Sequence, residues 1–294
     1  MFGISIKAKE SQNTEYKVFK YRERNFKAIR IRAILPAVLI LISFIFYFSF
    51  QNESSFLTTY IKYQKEFFYF LNKTLSPYSN LFYNITQLGD ALVIFSFLLF
   101  LLFIIPKFWQ VLLTSSVITL LLSAVLKRIF AVPRPAAFLD PETFTIVGKT
   151  LKGYTSLPSG HSMTTFMVIT VVLYAFMPKK LSHKTLWSIA MVSTGLIVAF
   201  SRVAVGAHYP FDVIIGSSLG YIAAIIGIRL NRNYNWLEWI KKKRFYPVIM
   251  LILSVWAYLI MLKIIKYDLV IFYLSLIATL VTLFIITFKY VKKN

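Results

Sequence analysis

Cysteine is absent from the 294-residue chain, which excludes disulfide bonds, thiolate metal sites and a cysteine nucleophile. Charged residues make up only 15% of the sequence, whereas a soluble domain has about 25%. This deficit excludes a disordered chain and disfavours an ordinary soluble enzyme. Histidine is also scarce, with three residues, so the position of each one is informative.

Hydrophobic residues are abundant, at 58% of the chain, and the mean hydropathy of +0.68 indicates a polytopic membrane protein. A bilayer core requires roughly 20 apolar residues per helix. The sequence therefore predicts one all-α membrane domain with about eight spans and no internal repeat. The predicted spans are 33–52, 91–106 with an extension back through 81–88, 108–126, 161–177, 185–201, 213–228, 245–262 and 269–288.

The net charge of +22 follows the order of these spans. Residues 1–32 are rich in Lys and Arg, so we expect them in the cytoplasm, followed by a retained first span. Alternation then places 22 of the 33 basic residues, and both termini, on the cytoplasmic side of a bacterial inner membrane. These charges face anionic lipid headgroups and predict no nucleic-acid partner. Residues 51–80 form an outer loop whose aromatic residues are expected to line interfacial helices.

Three polar clusters fall at span ends on the predicted outer face. Lys127 closes the third span and Arg134 follows Pro133, although cations at a span end are often only anchors. Ser159 and Gly160 open the fourth span as an N-cap and a position where a ligand can approach the backbone. Free N–H groups there form an anion site, or else simply a capped helix with an incidental His161.

The third cluster contains Arg202, His208 and Asp212. Asp212 follows His208 by four residues, so within a helical turn its carboxylate can orient the imidazole and leave the other ring nitrogen as a nucleophile or base. The alternative is that Asp212 is only a favourable acid in a first helical turn. The third histidine, His183, lies in a predicted cytoplasmic loop and is expected to be solvated.

Together, the three clusters resemble the three signature motifs of the type 2 phosphatidic acid phosphatase family, which are membrane lipid phosphatases related to vanadium haloperoxidases. The matching patterns are K-x6-R-P, P-S-G-H and S-R-x5-H-x3-D. The resemblance implies a six-helix catalytic core at residues 33–230. Residues 1–32 form a basic cytoplasmic segment outside this core. Residues 231–294, a cytoplasmic loop and two further spans, also lie outside it.

The resemblance also implies a role for each matching residue. His208 attacks phosphorus and forms a phospho-histidine, Asp212 orients it, and His161 protonates the leaving oxygen and then activates water. No metal or other cofactor is implied, because three cations take the place of a Mg²⁺ clamp. The implied phosphate-binding residues are Lys127, Arg134, Ser159, Gly160 and Arg202.

These observations predict a hydrolase acting on a lipid phosphate monoester or diphosphate at the outer face of the membrane. Undecaprenyl diphosphate, lipid A, phosphatidic acid and phosphatidylglycerol phosphate are candidate substrates, and membrane lipids are the only other expected partners. A lipid phosphotransferase using the same site is the main alternative. A transporter or scramblase is disfavoured because the sequence shows no Gly- or Pro-interrupted pair of spans. An inactive scaffold is disfavoured because both histidines and all three cations are present.

Overall fold

Helices form the regular structure of the described residues, 25–50 and 55–292, in the computed structural model, and no strand occurs among them. The predicted all-α fold is confirmed. Residues 1–24, which make up most of the basic N-terminal segment, lie outside the described residues. From Leu35 onwards we number the α-helices α1 (Leu35–Ser49), α2 (Phe56–Leu75), α3 (Ser79–Gln87), α4 (Ala91–Ser96), α5 (Leu101–Ile104), α6 (Pro106–Phe130), α7 (Pro135–Phe138), α8 (Gly160–Ala175), α9 (Leu181–Ala204), α10 (Pro210–Leu230), α11 (Tyr246–Tyr267) and α12 (Val270–Val291).

Six of the predicted spans coincide with helical segments that are long and apolar enough to cross a membrane. The predicted fourth span corresponds to α8, a shorter apolar helix of 16 residues. The predicted second span is interrupted, so eight is an approximate count. The six long segments are Ile31–Ser49, Pro106–Phe138, Leu181–Ala204, Pro210–Leu230, Lys243–Tyr267 and Val270–Val291.

The interrupted segment consists of α3, α4 and α5, separated by turns. Carbonyl groups released at such a break need new donors in a membrane. At the turn, Leu98 O accepts from Trp109 Nε1 at 3.0 Å, and within α4 Leu92 O accepts from Trp256 Nε1 at 3.1 Å. The turn at 97–100 contains neither Gly nor Pro, so this break could not be predicted from the sequence. Among the described residues one predicted span is interrupted, not the pair of spans expected of a transporter.

The centre of the bundle is formed by α10, the most buried of the long apolar helices, which packs on α8 and α6. Glycines let the backbones of α10 and α8 approach closely. A Cβ atom on Gly216 would lie 2.7 Å from Ser159 O, and one on Gly220 would clash with Met163 O. The close packing brings the N-terminal ends of α8 and α10 together.

The outer segment, residues 51–80, contains α2, and its interfacial placement stays a prediction. Helix α2 packs against α9 and α10 rather than standing apart from the bundle. Tyr60 and Phe68 are buried in this contact, whereas Tyr63, Phe67 and Phe70 are exposed. Helix α2 therefore covers the end of the bundle at which α10 begins.

Candidate active site

The three sequence clusters meet at one end of the bundle, where α6 and α9 end and α8 and α10 begin. A tight turn between α9 and α10 positions the third cluster. Gly206 has a φ of +72°, and a Cβ atom there would lie 2.6 Å from Thr145 O. The N–H groups of Ala207 and His208 then donate to Arg202 O, and Pro210 begins α10 at its first turn. His208 is thus fixed directly before the helix that carries Asp212.

The Asp212 carboxylate is fully buried and collects several donors. Its Oδ1 accepts from the Tyr60 hydroxyl at 2.7 Å, and its Oδ2 accepts from Ser156 Oγ at 2.6 Å and from the Tyr209 N–H at 2.9 Å. His208 Nδ1 lies 3.4 Å from the same Oδ2. A carboxylate held by these donors is stabilised in its charged form and cannot rotate away from the imidazole.

The opposite nitrogen of His208 faces a cation. Arg134 Nη1 lies 3.3 Å from His208 Nε2 and 3.2 Å from Ala207 O. A guanidinium only donates, so the contact requires Nε2 to be the accepting nitrogen and places the ring proton on Nδ1, toward Asp212. The neutral tautomer with an unprotonated Nε2 is the form that a nucleophilic histidine needs.

His208 itself is 1% exposed. Burial lowers its pKa well below the ordinary value of 6.5, because the protonated ring would lose its hydration. Nearby positive charges lower this pKa further and so keep the ring neutral. In decreasing order of effect they belong to Arg134, Arg202, Lys127 and His161.

The start of α8 supplies a second group of site residues. Ser159 is buried and caps the helix, accepting from the Ser162 N–H at 3.4 Å, as the sequence predicted. Its own N–H donates to Asp212 O at 3.1 Å, which links α8 to α10. Lys127 approaches from α6, and its Nζ would lie 3.4 Å from a Cβ atom on Gly160. The glycine thus leaves room beside this ammonium.

Arg202, at the end of α9, is 7% exposed. Its Nη1 donates to Thr86 Oγ1 at 3.0 Å, whereas its buried Nε has no hydrogen-bond partner among the described residues. An unsatisfied donor on a buried cation is costly unless an anion completes it. The arrangement around Arg202 can therefore bind an oxyanion such as a phosphoryl group.

The remaining histidines are arranged as the motifs suggest. His161 lies in the first turn of α8 and is partly buried. Its side chain packs on Gly89, where a Cβ atom would lie 2.7 Å from His161 Cβ. His183 lies in the exposed first turn of α9, at the opposite end of the bundle. The described residues contain no group of three or more His, Asp and Glu side chains that could hold a metal ion.

Sequence reasoning did not identify four residues that complete the site. Ser156 and Tyr60 hold the Asp212 carboxylate, Thr86 binds Arg202, and Gly89 contacts His161. Tyr60 and Thr86 belong to no recognisable motif and come close only through packing. Ser156 stands two residues before the P-S-G-H motif, and this proximity was the one available signal.

Comparisons with known proteins identify relatives of the part of the chain that contains the motifs. Residues 108–236 match the PAP2 superfamily. We call these residues the PAP2 region. The resemblance seen in the three motifs is thereby confirmed, and the PAP2 region contains every motif residue from Lys127 to Asp212.

Individual relatives share parts of the sequence. The chain is 31% identical over 116 residues to an undecaprenyl-diphosphatase from Sulfolobus acidocaldarius, covering 40% of this chain and 52% of the relative. It is 30% identical over 141 residues to a lipid A 1-phosphatase from Rhizobium etli, covering 46% and 57% respectively. The chain thus spans about half the length of these curated relatives. The crystal structure of Aquifex aeolicus LpxE is 27% identical, with a TM-score of 0.48, over 56% of this chain and 94% of that one.

Proposed function

We propose that the chain is a membrane lipid phosphatase that hydrolyses a phosphate monoester or diphosphate through a phospho-histidine at His208. The observation that carries the proposal is the placement of His208 between Asp212, at its Nδ1, and Arg134, at its Nε2. The two relatives are named an undecaprenyl-diphosphatase and a lipid A 1-phosphatase, which favours undecaprenyl diphosphate or lipid A as the substrate. Within the chain, we propose residues 33–230 as the catalytic core, flanked by the basic segment 1–32 and the two further spans of 231–294.

In the proposed first step, His208 Nε2 attacks phosphorus while Arg134, Arg202 and Lys127 balance the charge on the phosphoryl oxygens. Ser159 and Gly160 contribute donors from the start of α8. The bond from phosphorus to the lipid oxygen breaks, and His161 gives its proton to that oxygen. The Nδ1–H of His208 stays on the ring, where Asp212 stabilises the positive charge that develops.

In the second step, His161 takes a proton from water as the water oxygen attacks phosphorus. The bond between phosphorus and Nε2 breaks, and inorganic phosphate leaves a neutral His208. The net reaction consumes one water and returns both histidines to their starting protonation states. Because the chain's own cations carry the charge, we expect vanadate to inhibit and EDTA to leave the rate unchanged.

An apolar groove supports a lipid as the substrate. It has a volume of about 280 Å³, and Phe48, Phe130, Leu157 and Ile215 are among the residues that line it. The ring of Tyr60 borders the groove while its hydroxyl binds Asp212, so apolar surface adjoins the polar site. This arrangement suits a headgroup that enters laterally from the bilayer. We place the site at the outer face, in line with the positive-inside distribution of Lys and Arg.

The test is phosphate release by the purified full chain from undecaprenyl diphosphate, lipid A, phosphatidic acid and phosphatidylglycerol phosphate. We expect release from at least one of them without any acceptor lipid, and trapping of a phospho-histidine in acid-free quench. The His208→Ala variant serves as the matched inactive control. Phosphate that appears only when an acceptor lipid becomes phosphorylated would identify a phosphotransferase instead. Release that is unaffected by His208→Ala would refute the proposal.

A further inference from the structure

The hairpin of α11 and α12 lies outside the PAP2 region, yet it packs directly on the interrupted segment beside the site. Trp256 Nε1 donates to Leu92 O at 3.1 Å and to Ser96 Oγ at 3.0 Å. The N–H of Ile271 donates to Asn84 Oδ1 at 3.1 Å. These polar contacts anchor α3 and α4 to the C-terminal hairpin.

An ion pair completes the attachment. Lys263 Nζ on α11 lies 2.6 Å from Asp90 Oδ2, and each side chain is 26% exposed. Asp90 Oδ1 accepts from the Leu92 N–H at 2.9 Å and so caps α4. Lys263 Nζ also lies 5.5 Å from the centre of the buried Phe272 ring. Both members of the pair are therefore held in place by further contacts, unlike a typical surface ion pair.

The turn that carries Asp90 also contacts two residues of the site. Gly89 packs on the side chain of His161, and Thr86 accepts from Arg202. A shift of this turn would therefore displace both the imidazole of His161 and the guanidinium of Arg202. Lys263, in a helix outside the PAP2 region, is connected to His161 through two residues, its partner Asp90 and the adjacent Gly89.

We propose that Lys263 and Asp90 are positioning residues of the active site. Their ion pair holds the turn at 86–90 in contact with His161. Each partner also neutralises the charge of the other near that imidazole. This inference rests on the proposed function, in which His161 transfers the proton. In this inference, the C-terminal hairpin contributes to the reaction by positioning His161.

Most of the charged groups near His161 are cations. The Lys263–Asp90 ion pair therefore adds one positive and one negative charge to surroundings that are already positive. The loss of one partner leaves either a carboxylate or an ammonium uncompensated next to it. The charged groups that act on His161 are Arg202 from α9, Lys263 from α11, Arg134 after α6 and Lys127 from α6. His208, before α10, is also near, and Asp90 in the turn is the carboxylate paired with Lys263.

The test compares Lys263→Met with Asp90→Asn in the purified full chain, with kcat measured against pH on the best lipid substrate. Asn retains the helix cap, so Asp90→Asn removes mainly the charge. We expect kcat to fall roughly 10- to 100-fold in both variants through misplacement of His161. In Lys263→Met, the fall of kcat at high pH should move to higher pH by about one unit, because an unpaired carboxylate favours the protonated imidazole of His161. In Asp90→Asn it should move to lower pH, because an unpaired ammonium disfavours that form.

Lys266→Met is the matched control, since Lys266 is exposed on the same helix one turn later. It should leave both kcat and the pH limb unchanged. The charge-exchanged double variant, Asp90→Lys with Lys263→Asp, should recover part of the lost kcat. The thermal unfolding midpoint of each variant in detergent reports whether the bundle remains folded.

Several results would overturn the inference. One is a limb that moves in the same direction, or not at all, in the two folded variants. Another is an unchanged kcat in Asp90→Asn with a raised KM in Lys263→Met, which would mean that Lys263 contacts the phosphate itself. A wild-type chain that releases no phosphate from any lipid would instead refute the proposed function, so the two failures are distinguishable.

Discussion

The two ends of the helix bundle both carry clustered cations, but they hold them differently. At the site end, Arg202 is buried, and Lys127 and Arg134 are partly buried beside it. At the opposite end, Arg30, Arg32 and Lys184 are exposed around an open cavity of about 970 Å³. Water already solvates the exposed group, whereas the buried group requires an anion. Convergence and burial, and not the number of charges, therefore distinguish the candidate site from the anchor.

The histidines give the largest expected effect in this comparison. His208→Ala should lower phosphate release by roughly 10³-fold or more, because it removes the imidazole that we propose attacks phosphorus. His183→Ala, at the opposite end, should leave the rate unchanged. Both variants are measured as purified protein with matched unfolding midpoints. Residual activity of His208→Ala above about a tenth of wild type would break the distinction between the two ends.

Asp212→Asn should have the next largest effect, with kcat lower by roughly 10²- to 10⁴-fold. The amide removes the charge that stabilises the proposed phospho-histidine and can force the wrong ring tautomer. Asp140→Asn is the control, since Asp140 is an exposed acid that caps a short turn. Steady-state rates of the two variants at a single pH make the comparison. Equal losses would show that charge at this end matters generally and that Asp212 has no special role.

Tyr60→Phe compares a buried tyrosine at the site with an exposed tyrosine of the same helix, α2. It removes the 2.7 Å hydrogen bond to Asp212 but keeps the ring that borders the apolar groove. A lost hydrogen bond to a charged group costs about 1.5 kcal/mol, or roughly tenfold in kcat. Tyr63→Phe, at an exposed position of the same helix, should change kcat little. A rise in KM with constant kcat would assign Tyr60 to lipid binding alone.

The smallest expected effect concerns pH. Burial and the surrounding cations lower the pKa of His208 below 6.5, so the neutral nucleophile persists as the pH falls through that value. With an ordinary imidazole, kcat/KM would fall by about half at the imidazole pKa, whereas kcat/KM for phosphate release by this chain should change little there and decline only at lower pH. The titration of the lipid phosphate, followed separately by ³¹P NMR, is the control. An acid limb centred at or above pH 6.5 would contradict this.

Local chemistry explains how far the sequence could predict the site. Pro-Ser-Gly-His specifies a helix start, and the four-residue spacing from His208 to Asp212 specifies a shared face, so both features follow from backbone geometry alone. Tyr60 and Thr86 could not be found this way. They lie 152 and 116 residues from their respective partners, Asp212 and Arg202, and reach them only because α2 and α3 pack on α9 and α10.

The fold shows the same division. Long apolar runs predicted the six long spans, since the bilayer sets their length. The break between α4 and α5 could not be predicted, because its turn contains neither Gly nor Pro and the contact of Leu98 O with the Trp109 indole forms only through packing.

The amino-acid sequence alone determined the all-helical membrane fold and predicted phosphate-binding residues at the span ends, because hydropathy and short motifs depend on neighbouring residues. Tertiary structure decided which donors hold Asp212, which nitrogen of His208 lies toward Arg134 and how the C-terminal hairpin reaches His161. These features depend on contacts between helices far apart in the chain, and only packing brings such groups within hydrogen-bonding distance.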